Sequence, residues 1–182
     1  MTDDEKLMWT EKTKKTLLKT AVFDVTERHS VSSDGTEGDY IVLDAKDWAI
    51  VIPVLGDDFL MVKQWRHGEK NLSIEFPGGV IDPGENPADG AERELLEETG
   101  YQAGKLTKLG SVNPNPALFS NHVHIFLAED FEKVSEQDLD EDEYVNCFKM
   151  KQTDVLKEIG GSEFPHALML SAIGLYLARS SE

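Results

Sequence analysis

The run GGVIDPGENPADGAERELLEETGY, residues 78–101, constrains local structure more tightly than any other part of this 182-residue chain. Asn86-Pro87 reads as a helix start. Asn is a favoured N-cap, and Pro is tolerated at the first helical position, where its missing N–H is not needed. Asp89 falls in the first turn, where a negative charge meets the positive end of the helix dipole. Gly100 reads as a stop, because the left-handed residue that ends a helix is usually Gly. A helix is therefore predicted from Pro87 to Thr99. On it, Glu94 lies three residues before Glu97 and four before Glu98, so all three carboxylates share one helix surface.

Like charges at these spacings destabilise an isolated helix by roughly 0.2–0.5 kcal/mol per pair. A solvated acidic face, with Arg93 pairing to Glu97 at i, i+4, is one account of them. A divalent cation is the other. Hard cations such as Mg²⁺ take oxygen ligands and are held by a few carboxylates together with water and substrate phosphate. The preceding stretch favours the cation. LSIEFPGGVIDPGE, residues 72–85, is a short apolar run, a double glycine and a Pro-Gly turn carrying Glu85. Gly78-Gly79 permits unusual backbone angles and close approach of backbone to a ligand. Such a strand–loop–helix brings a fourth carboxylate near the helix.

These residues resemble the Nudix box, G-x5-E-x7-R-E-U-x-E-E-x-G-U, where U is a bulky aliphatic residue. Gly79, Glu85, Arg93, Glu94, Leu95, Glu97, Glu98 and Gly100 match in identity and spacing. Tyr101 takes the last bulky position as an aromatic departure. The resemblance implies hydrolysis of a nucleoside diphosphate linked to another moiety, with Mg²⁺, or Mn²⁺ in its place. It implies that Glu94 and Glu98 are the principal metal ligands, that Glu97 contributes, and that the Gly78 carbonyl is a backbone ligand. Glu85 and Arg93, with Gly79 and Gly100, support the loop–helix geometry. The chemistry agrees, since a metal neutralises an anionic pyrophosphate, polarises its phosphorus–oxygen bonds and lowers the pKa of bound water.

The length suits one domain with a substantial core. Residues 1–45 are expected as an N-terminal strand extension and residues 46–182 as the hydrolase domain. No apolar run approaches a membrane span, and the N-terminal stretch lacks the apolar core of a signal peptide. The single cysteine, Cys147, rules out an internal disulfide, which suits a cytoplasmic setting. Its expected role is that of a small buried hydrophobe. The net charge of −17 argues against binding nucleic acid or anionic membrane. It also repels an anionic substrate, so metal ions and local arginines must overcome the field.

Segments around residues 20–30 and 39–55 are rich in β-branched and aromatic residues and read as strands, with SSDGTEG as a turn between them. LGDDFLMVKQW suggests a hairpin turning at Gly56-Asp57-Asp58. KLTKLGSV, HVHIFLAED and EYVNCFKM are further strands. TDVLKEIG reads as a short helix capped at Thr153 or Asp154, and FPHALMLSAIGLYLARS as an apolar-faced helix. Many strands with few helices suggest an α+β fold. The resemblance narrows this to an α/β/α sandwich around a mixed sheet.

Features outside the box resemble the ADP-ribose and nucleoside-diphosphate-sugar pyrophosphatases. VKQWRHGEKNLSIEFPGG matches their Q-Y-R segment leading into E-L/F-P-A/G-G, with Trp65 in place of Tyr. Arg66 is expected to pair with a phosphate. Glu75 is expected to accept hydrogen bonds from a ribose or base, or to coordinate a metal. Trp65 either stacks on a base or packs. Pro116 has the spacing past the box associated with this subgroup. His122 stands where these relatives often carry Arg, and His124 reads as a structural strand residue.

In such relatives the catalytic base is often a glutamate in a mobile loop outside the box. Glu141 and Glu143, at the end of an acidic run, are the candidates, with Asp140 and Asp142 as alternatives. A box glutamate, Glu97 or Glu98, would otherwise activate the water. The expected products are a nucleoside monophosphate and a sugar phosphate. The subgroup also implies a homodimer that exchanges N-terminal strands. Two other readings stay open. One is hydrolysis of a dinucleoside polyphosphate, an oxidised nucleotide or an mRNA cap. The other is a nucleotide-binding sensor without catalysis.

Overall fold

The computed structural model describes residues 2–139, 141 and 143–179. The chain divides into two compact units, residues 1–46 with 113–121, and residues 47–112 with 122–182.

The first unit is an antiparallel sheet of β1 (Trp9–Lys19), β2 (Phe23–Ser32) and β3 (Glu37–Ala45), in that order. The segment 113–121 joins it through backbone bonds. Leu43 N–H donates to the Leu118 carbonyl at 2.7 Å, and Ser120 N–H donates to the Leu43 carbonyl at 3.1 Å. β1 lies within the expected strand extension but carries no strand pattern of its own. WTEKTKKTLLK is mostly Lys and Thr with little apolar alternation, and every residue in it is exposed.

The second unit continues with β4 (Trp48–Leu55), β5 (Asp58–Arg66), β6 (Asn71–Glu75), α1 (Pro87–Thr99), β7 (Tyr101–Gln102) and β8 (Lys105–Val112). Then come β9 (Val123–Glu129), β10 (Glu132–Lys133), β11 (Val145–Lys151), α2 (Gln152–Glu158) and α3 (Ala167–Arg179). Its main sheet has the order β11-β5-β4-β9-β8, with β6 also paired to β5. The β4–β9 pair is parallel and the others are antiparallel, which makes the sheet mixed.

The unbroken apolar run of β4 follows from burial on both faces. Ile50 and Ile52 share one cluster with Val123, Ile125, Val155 of α2 and Leu168, Met169, Ala172 and Ile173 of α3. Ala49 and Val51 point the other way, to Phe126, Ala128 and the α1 residues Ala91 and Leu95. Helices therefore cover both faces of the sheet. The α/β/α arrangement expected from the resemblance is the one found.

The boundaries of α1 are those predicted. Asn86 Oδ1 accepts from Ala88 N–H at 2.9 Å, and Gly100, at φ 74°, donates to the Leu96 carbonyl at 2.7 Å. The 55–58 hairpin also forms, with Leu55 opposite Asp58 across Gly56-Asp57. The start of α2 differs from expectation. Thr153 and Asp154 lie inside the helix, and Lys151 at the cap makes no side-chain bond. Tertiary contacts start this helix instead, with Gln152 N–H donating to the Asp57 carbonyl and its side-chain amide to the Gly56 carbonyl, both at 3.0 Å.

The acidic run is not simply a solvated stretch. Phe131 is buried edge-on against Tyr101, with ring centroids 5.5 Å apart, and β10 pairs with β7. Cys147 is only partly buried, and that burial pushes its thiol up to about 11. Among the described residues no helix is long and apolar enough to cross a membrane.

Candidate active site

The site is built where the Pro77-Gly78-Gly79 backbone passes between β4 and α1. Val51 N–H donates to the Pro77 carbonyl and Ala49 N–H to the Gly79 carbonyl, both at 2.9 Å. The intervening Gly78 carbonyl takes part in neither bond. Gly78 sits at φ 154°, and a Cβ there would overlap the Ala49 carbonyl oxygen and stand 2.9 Å from Ile50 Cα. At Gly79 a Cβ would overlap the Glu94 carboxylate. The double glycine thus gives β4 close approach on one side and the helix carboxylates close approach on the other.

Two of those carboxylates are drawn in from solvent. Gly78 N–H donates to Glu98 Oε2 at 2.8 Å, and Glu98 is 4% exposed. Burial pushes its carboxyl up to about 8. The Gly78 bond works against that shift, while the charges of Glu94 and Glu143 add to it. Burial also raises Glu94, against the opposing pull of Arg93.

Arg93 organises the rest. Its Nε and Nη2 donate to the two oxygens of Glu85 at 3.0 and 3.1 Å. Nη1 reaches Glu94 Oε1 and Glu97 Oε2, each at 2.9 Å, and Nη2 reaches the Val80 carbonyl at 2.9 Å. Glu85 Oε2 also accepts from Asp82 N–H at 2.8 Å. Glu85 and Arg93 therefore clamp the loop to α1. The i, i+4 pair between Arg93 and Glu97 forms, but as one arm of this network.

Among the described residues no three His, Cys, Asp or Glu side chains converge to hold an ion with the chain in this arrangement. Arg93 holds Glu94 and Glu97 in ion pairs. The donor chemistry still fits a hard divalent cation. Glu94 and Glu98 are adjacent oxygen donors whose ionised forms burial disfavours, and Mg²⁺ needs only one or two carboxylates beside water and substrate phosphate.

On β5, Arg66 Nε and Nη2 donate to both oxygens of Glu75 at 2.8 and 2.6 Å. Glu75 is buried at 2% exposure, and both its oxygens are taken by this pair. Burial works to raise its carboxyl, but Arg66 outweighs burial and holds it below the usual range. The same pair raises Arg66. His166, which precedes α3, faces this pair; burial lowers its pKa and Glu75 opposes the shift. No sequence pattern marked His166. Trp65 is 49% exposed on β5 and pairs across the ladder with Leu72. Pro116 is exposed in the first unit. His124 is a strand residue whose Nε2 lies 3.1 Å from Asp47 Oδ2 and whose Nδ1 lies 2.8 Å from Ser111 Oγ.

The acidic segment is tied to the C-terminal end of α1. Val134 N–H and Ser135 N–H donate to the Gly100 carbonyl at 2.9 and 3.1 Å, and Asp138 N–H donates to the Glu97 carbonyl at 2.9 Å. The Gln137 amide spans the Glu98 and Val145 carbonyls at 2.5 and 3.1 Å. These anchors bring Glu143 within electrostatic reach of Glu94, Glu98 and Arg66, all of whose pKa values its charge raises. Glu141 is exposed and is not among the leading influences on Glu94 or Glu98. Asp140 and Asp142 lie outside the described residues.

The NUDIX domain model matches residues 45–166, well over half of the chain. This chain belongs to the Nudix family. It is 38% identical over 128 residues to an ADP-ribose pyrophosphatase of Bacillus subtilis, a match covering 69% of each chain. It is 32% identical over 85 residues to an ADP compounds hydrolase of Escherichia coli, covering 47% of this chain and 46% of that one. The solved structure of an ADP compounds hydrolase superposes with a TM-score of 0.81 at 26% identity, covering 94% of this chain and 92% of the other. The protein is thus a Nudix pyrophosphohydrolase.

Proposed function

We propose that the chain hydrolyses the diphosphate of ADP-ribose or a related nucleoside diphosphate sugar, with Mg²⁺ as cofactor and Mn²⁺ able to replace it. The products are a nucleoside monophosphate and a sugar phosphate. The observation that carries this reading is the meeting of Glu94 and Glu98 at the Gly78-Gly79 backbone, with Glu143 in electrostatic reach. The similarity to ADP-ribose pyrophosphatase supports the choice of substrate.

Glu94 and Glu98 would hold the cation, with Glu97 at the edge and the Gly78 carbonyl as a backbone ligand. A cation held there would supply neutralisation of the diphosphate charge and a lowered pKa for water. Glu143 takes the proton from the attacking water, since a general base must reach that water and be ionised when it does. Arg66, its plane fixed by Glu75, offers its remaining N–H groups to a phosphate oxygen. Glu75 thus acts as a positioning residue. Glu85 and Arg93 keep the loop and α1 in register.

The assembly we propose is a homodimer built through the N-terminal sheet. Its edge strand β1 is wholly exposed over 11 residues, with Trp9, Leu17 and Leu18 in solvent. An edge of that length is a template for pairing with a second chain. Activity is tested by product analysis after incubation with Mg²⁺ and ADP-ribose beside GDP-mannose, UDP-glucose and diadenosine polyphosphates. Preferential release of AMP and ribose phosphate from ADP-ribose is the expected result. Preference for another member of the panel would overturn the substrate choice.

A further inference from the structure

Among the described residues β6 pairs only with β5, so its other edge must be closed by something else. Alternate N–H groups of an edge strand face away from its sheet and need partners when buried. On β6 these belong to Ile74 and, just past the strand, to Phe76. The segment leading into α3 supplies both partners. Ile74 N–H donates to the Glu163 carbonyl at 2.7 Å. Phe76 N–H donates to the sulfur of Met169 at 3.0 Å, and both residues are buried. The Asn71 side-chain amide adds a bond to the Ser162 carbonyl at 3.4 Å, and Lys63 of β5 pairs with Glu163.

A thioether is a weak acceptor, and its use here has a geometric reason. α3 begins at Ala167, so from there the backbone carbonyls turn toward the helix's own bonds and a side chain must reach the strand instead. The turn that carries Met169 is fixed by the residue before the helix. Leu168 N–H donates to His166 Nδ1 at 3.2 Å, and Met169 N–H donates to the His166 carbonyl at 3.0 Å.

Phe76 stands between the two halves of the site. Before it comes Glu75, which orients Arg66. After Pro77 comes Gly78, whose N–H holds Glu98. Pro77 has no N–H, so between Glu75 and Gly78 only Phe76 carries a backbone donor that can hold the chain in place.

We infer that Met169 is a positioning residue for the hydrolysis. Its sulfur, on the His166-capped first turn of α3, fixes the Phe76 peptide and with it the spacing between the Arg66–Glu75 pair and the Gly78–Glu98 bond. The inference rests on the proposed roles of Arg66 and Glu98.

Two variants of the full chain separate positioning from packing. Met169→Leu keeps nearly the same volume and removes the acceptor. Ile173→Val, one turn further along α3 in the same core cluster, alters packing and leaves the bond to Phe76 alone. Amide hydrogen exchange followed by NMR should quicken at Phe76, relative to buried Ile125, about tenfold in Met169→Leu, and should keep the wild-type ratio in Ile173→Val. Hydrolysis of ADP-ribose with Mg²⁺ should lose about tenfold in kcat, with KM within about twofold, in Met169→Leu alone. An unchanged Phe76 exchange ratio in Met169→Leu overturns the inference, and so does a kcat loss that Ile173→Val shares. If the wild type leaves ADP-ribose intact, the substrate reading falls. An exchange ratio raised only in Met169→Leu then still supports the anchoring of Phe76, and an unchanged ratio overturns it.

Discussion

Glu98 Oε2 accepts a 2.8 Å hydrogen bond from the Gly78 N–H, joining the first of the two glycines to the last turn of α1. That bond places a nearly buried carboxylate beside Glu94. The cost of ionising it has a pH signature. The folded-state pKa of Glu98, about 8, lies above its ordinary value of 4.5, so the folded protein holds a proton that the unfolded chain releases. The contribution of Glu98 to the stability of the metal-free protein should therefore be fully present below the ordinary value and be lost as pH rises toward 8. The slope is at most about 1.4 kcal/mol per pH unit. Thermal melts of EDTA-treated protein between pH 5 and pH 8 should show this decline, and Glu98→Gln should flatten it. A wild-type melting temperature that rises over that window would contradict the account.

Gly78→Ala should be severe. Its Cβ would strike the Ala49 carbonyl at a backbone angle that side chains rarely adopt. The strand–loop–helix cannot close around it, so soluble yield and activity should both collapse. Gly56→Ala provides the contrast. It too has a positive φ, but a Cβ there meets nothing within 4 Å, so its cost is conformational only, about 1 kcal/mol. Equal behaviour of the two variants in a denaturant titration would count against the close-approach argument.

Removing Arg66 leaves Glu75 buried without its partner. Leaving a buried acceptor unsatisfied costs about 1–3 kcal/mol, and the 41% exposure of the Arg66 side chain keeps this pair within that range rather than at the cost of a fully buried one. Arg66→Ala should lose stability on that scale, and the Arg66→Ala, Glu75→Gln double variant should recover much of it. The pH dependence has the opposite sign to that of Glu98. The Glu75 carboxyl is held below its ordinary value, so its contribution is present above 4.5 and lost as pH falls through its lowered pKa. A double variant no more stable than the single one would show that the pair is not the source.

Much of this was readable from residues alone. The bounds of α1 follow from Asn86, Pro87 and Gly100 because capping is local chemistry. The double glycine and the three glutamates were legible as a motif. What the sequence did not disclose is tertiary. Nothing in the string around Arg66 and Glu75 says that they pair with each other, since the contact depends on how β5 and β6 run side by side. β1 has no signature in its own residues, because a strand exposed on every residue carries no alternating apolar signal, and only the family resemblance points to strands there. The start of α2 is not legible locally because backbone and side-chain contacts from Gln152 to the 56–57 turn, rather than a Thr or Asp cap, begin it. The anchoring of the acidic run by Gln137 and Asp138 has no sequence signature either, yet it is what carries Glu143 toward the box.

Glu143 acts on the charges of Glu94 and Glu98, whereas Glu141 is not a leading influence on either. Glu143→Gln should reduce kcat by two or more orders of magnitude, within the range attributed to general base catalysis of about 10²–10⁴-fold, with little change in KM. Glu141→Gln should stay within a few-fold of wild type. The reverse pattern would move the base two residues upstream.

Light scattering at micromolar concentration should give a mass near twice 20.3 kDa. A charge or proline placed in the middle of β1, such as Thr16→Pro, should return it to the monomer mass by breaking edge pairing. A wild-type monomer would contradict the dimer.

The most direct test is the rate of ADP-ribose hydrolysis by wild type and Glu98→Gln, measured with and without Mg²⁺ by anion-exchange separation of products. The account predicts AMP and ribose phosphate from the wild type only when Mg²⁺ is present. It predicts a fall of orders of magnitude in Glu98→Gln, with the folded state intact by circular dichroism. Near-normal turnover by Glu98→Gln, or wild-type turnover indifferent to divalent metal, would contradict it.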